Sequence, residues 1–281
     1  MDKAQVHAKE NVTVKETIGI IIRVTGKVEI LSQGKQTHLL TPDTGSFVVV
    51  HKLDRLMVKS GEVSLSMADG TKSTIKASPK PYILNGKGLP TLAEQFRRGG
   101  LSRGSNDGRI VYPMPDERVT IDTFTVRWNV QPNIKSFTLA KLGKSEGIAV
   151  TADAVIQETL TEGDLSALRD YIKSNGAGRY QLSGKAGDSF QSFEFDIVPD
   201  SLLKSVTSKL AKFSDKSTDG LVMRSHLCAA EKFFGMAQNY MKSASDLSPK
   251  SRQISTLFLE IAKLGGDDHL VDLAESRLRQ K

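Results

Sequence analysis

The hydrophobic period of the chain changes once, near Pro199, and this change constrains the fold more than any other feature. From Ile18 to Ala77, and again from Ile110 to Val198, apolar and polar residues alternate in short segments separated by turn residues. After Pro199 the apolar residues are spaced by three and four. A period of two is typical of half-buried strands, and a period near 3.6 of amphipathic helices. The sequence therefore predicts a mainly β chain with an α-helical C-terminus.

Both β regions show clear apolar faces. In the first, Val63 and Leu65 alternate with serines before the Asp69-Gly70 pair, and Asp-Gly between two alternating segments predicts a tight hairpin. In the second, six or seven short strands with regular turn signals predict a β-sandwich. Its two best apolar faces consist of Phe124, Val126 and Trp128, and of Phe193, Phe195 and Ile197. Helical spacing predicts an inserted helix over 165–174.

Two segments of the first β region, VTGKVEILSQGKQTHLL and SGEVSLSMADGTKSTI, follow a recognisable order. They resemble the small all-β domain of the FecR periplasmic regulators, in which a G-x-V strand, a second strand after a polar turn and an A-D-G-T hairpin recur. Residues 41–45 stand where that family has a Gly-Asp turn. The resemblance implies a FecR-like domain at the N-terminus.

The second β region resembles the fibronectin-III or immunoglobulin-like sandwiches that follow FecR-type domains in bacterial envelope proteins. In those sandwiches a strand with Pro, Phe and Trp comes first, a Tyr-x-Leu strand comes late and a Phe-containing strand closes the fold. The corresponding segments here are Pro115 through Phe124 to Trp128, Tyr180 to Leu182, and Phe193 to Ile197. The order of the two domains implies a bacterial envelope setting.

The helical region contains breaks that divide it into several helices. Gly235 separates two helical lengths, Pro249 begins a third, and Gly265-Gly266 ends it. Ala237, Ala244 and Pro249 lie where the second helix of a tetratricopeptide repeat has its small residues and closing proline. The region therefore resembles a degenerate tetratricopeptide-like helical hairpin. The predicted organisation is a FecR-like all-β domain over 1–79, a basic flexible linker over 80–109, a fibronectin-III/immunoglobulin-like sandwich over 110–198 and a tetratricopeptide-like region over 199–281.

The linker contains RRGGLSRGSNDGR, which has three interpretations. Residues 100–104 match the G-x-S-x-G pattern of serine hydrolases, but a nucleophile elbow needs a strand before Ser102 and a helix after it, and the sequence shows neither. Nucleic-acid binding is suggested by six Lys/Arg against two Asp/Glu in 80–109, yet only two Arg-Gly units occur. A hinge is the preferred interpretation. The residues expected to be sensitive to proteolysis are Arg97, Arg98, Arg103 and Arg109.

Other chemical sites are not indicated. The histidines at 7, 38, 51, 226 and 269 are scattered, without the pairs or cysteine partners that zinc needs, so no metal and no cofactor are predicted. Cys228 is the one cysteine, which excludes an intramolecular disulfide and is best interpreted as a buried thiol. The apolar runs are too short to cross a bilayer.

A cluster of three aromatic residues and one methionine near the break at Gly235 is the best candidate for partner binding. Its members are Phe233, Phe234, Tyr240 and Met241. Aromatic residues at helical spacing usually pack in a core, and an exposed groove that receives a partner peptide is the alternative.

The preferred function is a non-enzymatic modular adaptor or scaffold that binds other proteins in a bacterial envelope or signalling assembly. The alternative is a cytoplasmic regulatory subunit controlled through the basic linker by a partner protease or signalling factor. Weak nucleic-acid binding through the linker ranks third. The polar N-terminus indicates no secretory signal in this sequence, whereas the envelope resemblance implies one upstream, so the compartment stays open. The sequence does not predict an oligomeric state.

Overall fold

The structure is a computed structural model that describes residues 16–32, 37–90, 110–128, 134, 136–151, 162–186 and 189–279. Within these residues strands come first and most helices follow Pro199, which confirms the predicted fold class. Helix and strand are present in similar amounts. In the described part of the chain, no helix is both long enough and apolar enough to span a membrane.

The N-terminal β unit consists of two antiparallel sheets that enclose one core. The strands are β1 (Glu16–Val24), β2 (Val28–Leu31), β3 (Thr37–Leu40), β4 (Val48–His51), β5 (Arg55–Val58), β6 (Glu62–Met67), β7 (Lys72–Lys76), β8 (Tyr82–Ile83) and β9 (Leu89–Pro90). The first sheet has the order β4-β1-β6-β7, with β9 also paired to β1, and the second has the order β3-β2-β5-β8. Val63 and Leu65 are buried as predicted, and the predicted hairpin at Asp69-Gly70 joins β6 to β7.

The second β unit has its own core between a two-stranded and a five-stranded sheet. Its elements are β10 (Ile110–Tyr112), β11 (Arg118–Val119), β12 (Arg127–Trp128), β13 (Ser136–Lys141), β14 (Gly147–Thr151), α1 (Glu162–Asn175), β15 (Gly178–Ala186) and β16 (Ser189–Ile197). The orders are β10-β12 and β11-β16-β15-β13-β14, and β11 pairs with β16 in parallel. Trp128 is buried and its ring lies 4.9 Å from that of Phe137. Helix α1 is the predicted insertion.

The C-terminal region has more helices than the single hairpin that the sequence suggests. These are α2 (Asp200–Leu210), α3 (Thr218–Ala230), α4 (Phe234–Leu247), α5 (Arg252–Gly265) and α6 (Asp268–Arg279). Gly235 lies in the first turn of α4 rather than between two helices. Helix α5 begins where the Ser251 side chain accepts a hydrogen bond from the Ile254 N–H and ends at Gly266, which has a left-handed φ of 67°.

The helices contact both β units. Ile20 of β1 and Met114 of the second β unit belong to the same buried cluster as the helical apolar residues. Two ion pairs also join the second β unit to the helices, Arg118 to Glu231 at 3.6 Å and Arg127 to Asp267 at 3.4 Å. Each β unit therefore has its own core, and the helical core connects the two.

Candidate protein-interaction site

The residues predicted to bind a partner mostly lie inside the helical core. Phe233, Phe234 and Met241 are buried, whereas Tyr240 is half-buried with the Arg224 guanidinium 5.6 Å from its ring centroid. In this conformation they pack against neighbouring helices, and binding of a partner through them stays a prediction. The linker residues Arg97, Arg98, Arg103 and Arg109, together with Ser102, lie outside the described residues.

An open apolar groove lies where the N-terminal β unit meets the helices. It has a volume of about 370 Å³. Its lining comes from β4 with the residue before it and from the first part of α5: Phe47, Val48, Val49, Arg252, Gln253, Thr256 and Leu257. We call it the β4–α5 groove. Its walls are mainly hydrocarbon, and it is open to solvent along one side.

The strand wall of the groove is the edge of a sheet. Strand β4 pairs with β1 on one side, and no other strand in the described ranges pairs with its opposite side. Edge strands leave a row of N–H and C=O groups available for another strand. At the end of the strand the His51 N–H donates to Asp54 Oδ2 at 2.9 Å, and the His51 carbonyl accepts from the Asp54 N–H at 3.1 Å. The part of this wall formed by Val48 and Val49 therefore combines apolar side chains with a strand edge that no other described strand pairs.

Three consecutive residues line the groove, and the first of them, Phe47, lies in the turn just before β4. In a regular strand, neighbouring side chains point to opposite faces. Here the Phe47 N–H donates to the Ile21 carbonyl at 2.6 Å, although Val48 is the register partner of Ile21. Phe47 has a φ of 62°, in the left-handed region that non-glycine residues seldom adopt. Phe47 therefore lies outside the alternation of β4, whereas Val48 and Val49 are neighbours in regular register within the strand. The register shift of the β1–β4 ladder falls between Thr17 and Gly19.

Helix α5 forms the other wall and carries positive charge at its first turn. The Gln253 side-chain amide donates to the Thr44 carbonyl at 3.0 Å, which joins α5 to the loop before β4. Arg252 is exposed, and its guanidinium has no ion-pair partner among the residues that the structure describes. Lys250 is exposed just before the helix, and the first turn of α5 contains no acidic residue.

A second notable group is a buried carboxylate at the boundary between the second β unit and the helices. Glu117 is 1% exposed, and its two oxygens accept hydrogen bonds from the N–H groups of Met114 and Gly235, both at 2.7 Å. Gly235 lies in the first turn of α4, so the carboxylate of one unit caps a helix of the other. Burial raises the pKa of Glu117 to about 7, although these N–H groups and Arg127 oppose the shift.

Two further buried titratable groups, His226 and Cys228, lie on helix α3. Burial, with a smaller contribution from His51, lowers the pKa of His226 to about 3. Burial raises the pKa of the Cys228 thiol to about 12, which agrees with its prediction as a buried thiol. Within the described ranges, no group of three or more His, Cys, Asp or Glu side chains could hold a metal ion.

Sequence reasoning missed both the groove and Glu117. The unbroken apolar run Phe47 to Val50 carried a signal, because a strand covered on one face only should alternate. Glu117 gave none, since a glutamate near Pro115 and Asp116 has the pattern of an exposed turn.

Comparison with known proteins assigns the chain to no family. No protein-family model matches it, and no curated protein is significantly similar to it. The β4–α5 groove and the cores around it are therefore the observations from which a function can be inferred.

Proposed function

We propose that this protein is a non-enzymatic adaptor or scaffold that binds other proteins, in a bacterial envelope or signalling assembly. The observation that carries this proposal is the β4–α5 groove. It combines an open apolar surface with an unpaired strand edge, and both features are common at protein-binding sites.

The arrangement of the units supports the same function. The groove lies between β4 of the first unit and α5, and the helical core also contacts the second β unit through Met114. A partner docked in the groove would therefore have a fixed position relative to the second unit. The resemblance of the β regions to FecR-like and fibronectin-III-like domains supports the proposed setting.

The test fills the groove without disturbing the core. Thr256 is an exposed residue of α5 that lines the groove, and its hydroxyl donates only to the Arg252 carbonyl one turn earlier, at 2.8 Å. Thr256→Trp places an indole in the groove. Thr207→Trp is the matched control, because Thr207 is also exposed on a helix and donates to the Leu203 carbonyl at 2.9 Å.

The full chain and both variants would be used for affinity enrichment from cells that naturally produce the protein. Each candidate partner would then be purified and titrated directly. We expect at least one partner to bind the wild type and Thr207→Trp equally and to lose about tenfold or more in affinity for Thr256→Trp. The adaptor proposal is wrong if no purified partner discriminates between the two variants.

A further inference from the structure

We propose that the β4–α5 groove binds an extended peptide segment of another protein, which adds a strand to β4, places apolar side chains in the groove and sets a carboxylate beside Arg252. This inference rests on the proposed function and specifies the chemistry of the partner. It commits to an extended acidic-apolar segment, and not to a helix, a lipid or a second copy of this chain.

The strand edge argues for an extended segment. Strand β4 has one free edge among the described strands, and Val48, Val49 and Val50 have no polar side-chain atoms. Specific polar recognition on this wall must therefore come from the main chain. Only a segment in extended conformation can match the spacing of main-chain N–H and C=O groups along a strand edge. A helical partner satisfies its own main-chain groups and would leave those of β4 unpaired.

The groove volume argues for apolar side chains on that segment. At about 370 Å³ it lies within the roughly 300–1,000 Å³ typical of binding pockets. Phe47, Val49 and Leu257 contribute hydrocarbon from both walls. Alternate residues of a strand added to β4 project to the same side, so the same-facing side chains of one segment can reach the groove.

The charge at the first turn of α5 argues for a carboxylate. Arg252 lines the groove, is exposed and is without an ion-pair partner in the described part of the chain, and Lys250 adds a second positive charge nearby. A guanidinium pairs with carboxylate geometry in a bidentate way. An Asp, a Glu or a chain-terminal carboxylate on the bound segment could form this ion pair with Arg252.

The experiment selects peptides on the full chain and then measures their affinity. A random peptide display library is enriched on the wild type, and the selected peptides are synthesised with a fluorophore for anisotropy titration. We expect enriched sequences to combine apolar residues at alternating positions with an acidic residue or a free carboxyl terminus. Thr256→Trp should weaken binding about tenfold or more, and Arg252→Glu about fivefold, by loss of the charge pair and its replacement by repulsion. Thr207→Trp and Lys204→Glu, both exposed on α2, serve as controls and should bind as the wild type does.

A backbone modification tests the strand addition itself. N-methylation of alternate amides in a selected peptide removes main-chain donors and leaves the side chains unchanged. We expect methylation in one of the two alternating registers to weaken binding about tenfold, and methylation in the other register to have a smaller effect.

Several results would overturn the inference. The first three are the absence of an enriched pattern, equal binding to Thr256→Trp and to the wild type, and insensitivity to N-methylation in both registers. Self-association that Thr256→Trp abolishes, without peptide binding, would also overturn it, because the occupant would then be a second copy. If a purified natural partner still depends on the groove but is not displaced by any selected peptide, the peptide inference fails while the adaptor function stands.

Discussion

Replacing the buried carboxylate at the unit boundary should change how stability depends on pH. Glu117→Gln removes the ionisable group but keeps the size of the side chain. The amide oxygen of the glutamine can still accept from the Gly235 N–H, whereas its amide nitrogen, which is a donor, faces the Met114 N–H, which is also a donor. The variant should therefore be less stable than the wild type at low pH, where Glu117 is protonated, and the pH-dependent part of the difference reports the ionisation of Glu117.

The size of this effect follows from the pKa of Glu117, which rises from 4.5 to about 7 on folding. Between these values the native state holds a proton that the unfolded state has released, so stability falls as pH rises and levels off above 7. One pKa unit corresponds to about 1.36 kcal/mol, so the wild type should lose about 2.5 kcal/mol between pH 5 and 8 from this group alone. Glu117→Gln should lack this loss.

Urea unfolding at pH 5 and pH 8 measures the effect, with fluorescence of the buried Trp128 and far-ultraviolet circular dichroism as separate probes. Subtracting the free energy of unfolding of the variant from that of the wild type at each pH cancels the contributions of other titrating groups. The advantage of the wild type over the variant should shrink by about 2.5 kcal/mol at the higher pH. A difference that is the same at both pH values would refute the reasoning, since Glu117 would then ionise as it does in the unfolded chain.

Three further perturbations test other parts of the structure. The pKa of His226 is lowered from 6.5 to about 3, so the free energy of unfolding should fall as pH drops below 6.5. His226→Gln should remove up to about 5 kcal/mol of this dependence of stability on pH, measured by urea titration at several pH values. A Cβ on Gly235 would lie 2.5 Å from the Tyr112 Cε2 atom, so Gly235→Ala should cost about 1–3 kcal/mol in the free energy of unfolding, and an unchanged denaturation midpoint would contradict this contact. The Cys228 thiol is buried with a raised pKa, so a thiol reagent should label the native protein slowly and the urea-unfolded protein fast, and rapid native labelling would show that the thiol is accessible.

Strand and helix patterns were predictable because they depend on local spacing. The alternation around Val63 and Leu65 and the face containing Trp128 both correspond to buried residues. Helix ends were less predictable, as Gly235 shows. It is a glycine in the first turn of α4 because the Tyr112 ring packs against it, and that contact joins residues far apart in sequence.

The candidate site could not be predicted for the same physical reason. The β4–α5 groove joins Val48 to Leu257, which lie about two hundred residues apart in the chain. The burial of Glu117 likewise depends on the Gly235 N–H across a unit boundary. Local periodicity identifies which face of an element is apolar, but it does not identify which distant element covers that face.

The contribution of Ile20 and Met114 to the helical core has a consequence for dissecting this chain. The sequence predicts a row of independent domains, from which the last eighty or so residues could be removed by truncation at Pro199. Such a truncation would uncover Ile20 and the partly buried Leu89 on the first β unit and Met114 on the second. A protein shortened in this way should aggregate or become protease-sensitive. The C-terminal helices are therefore needed to bury apolar residues of both β units and are not a detachable module.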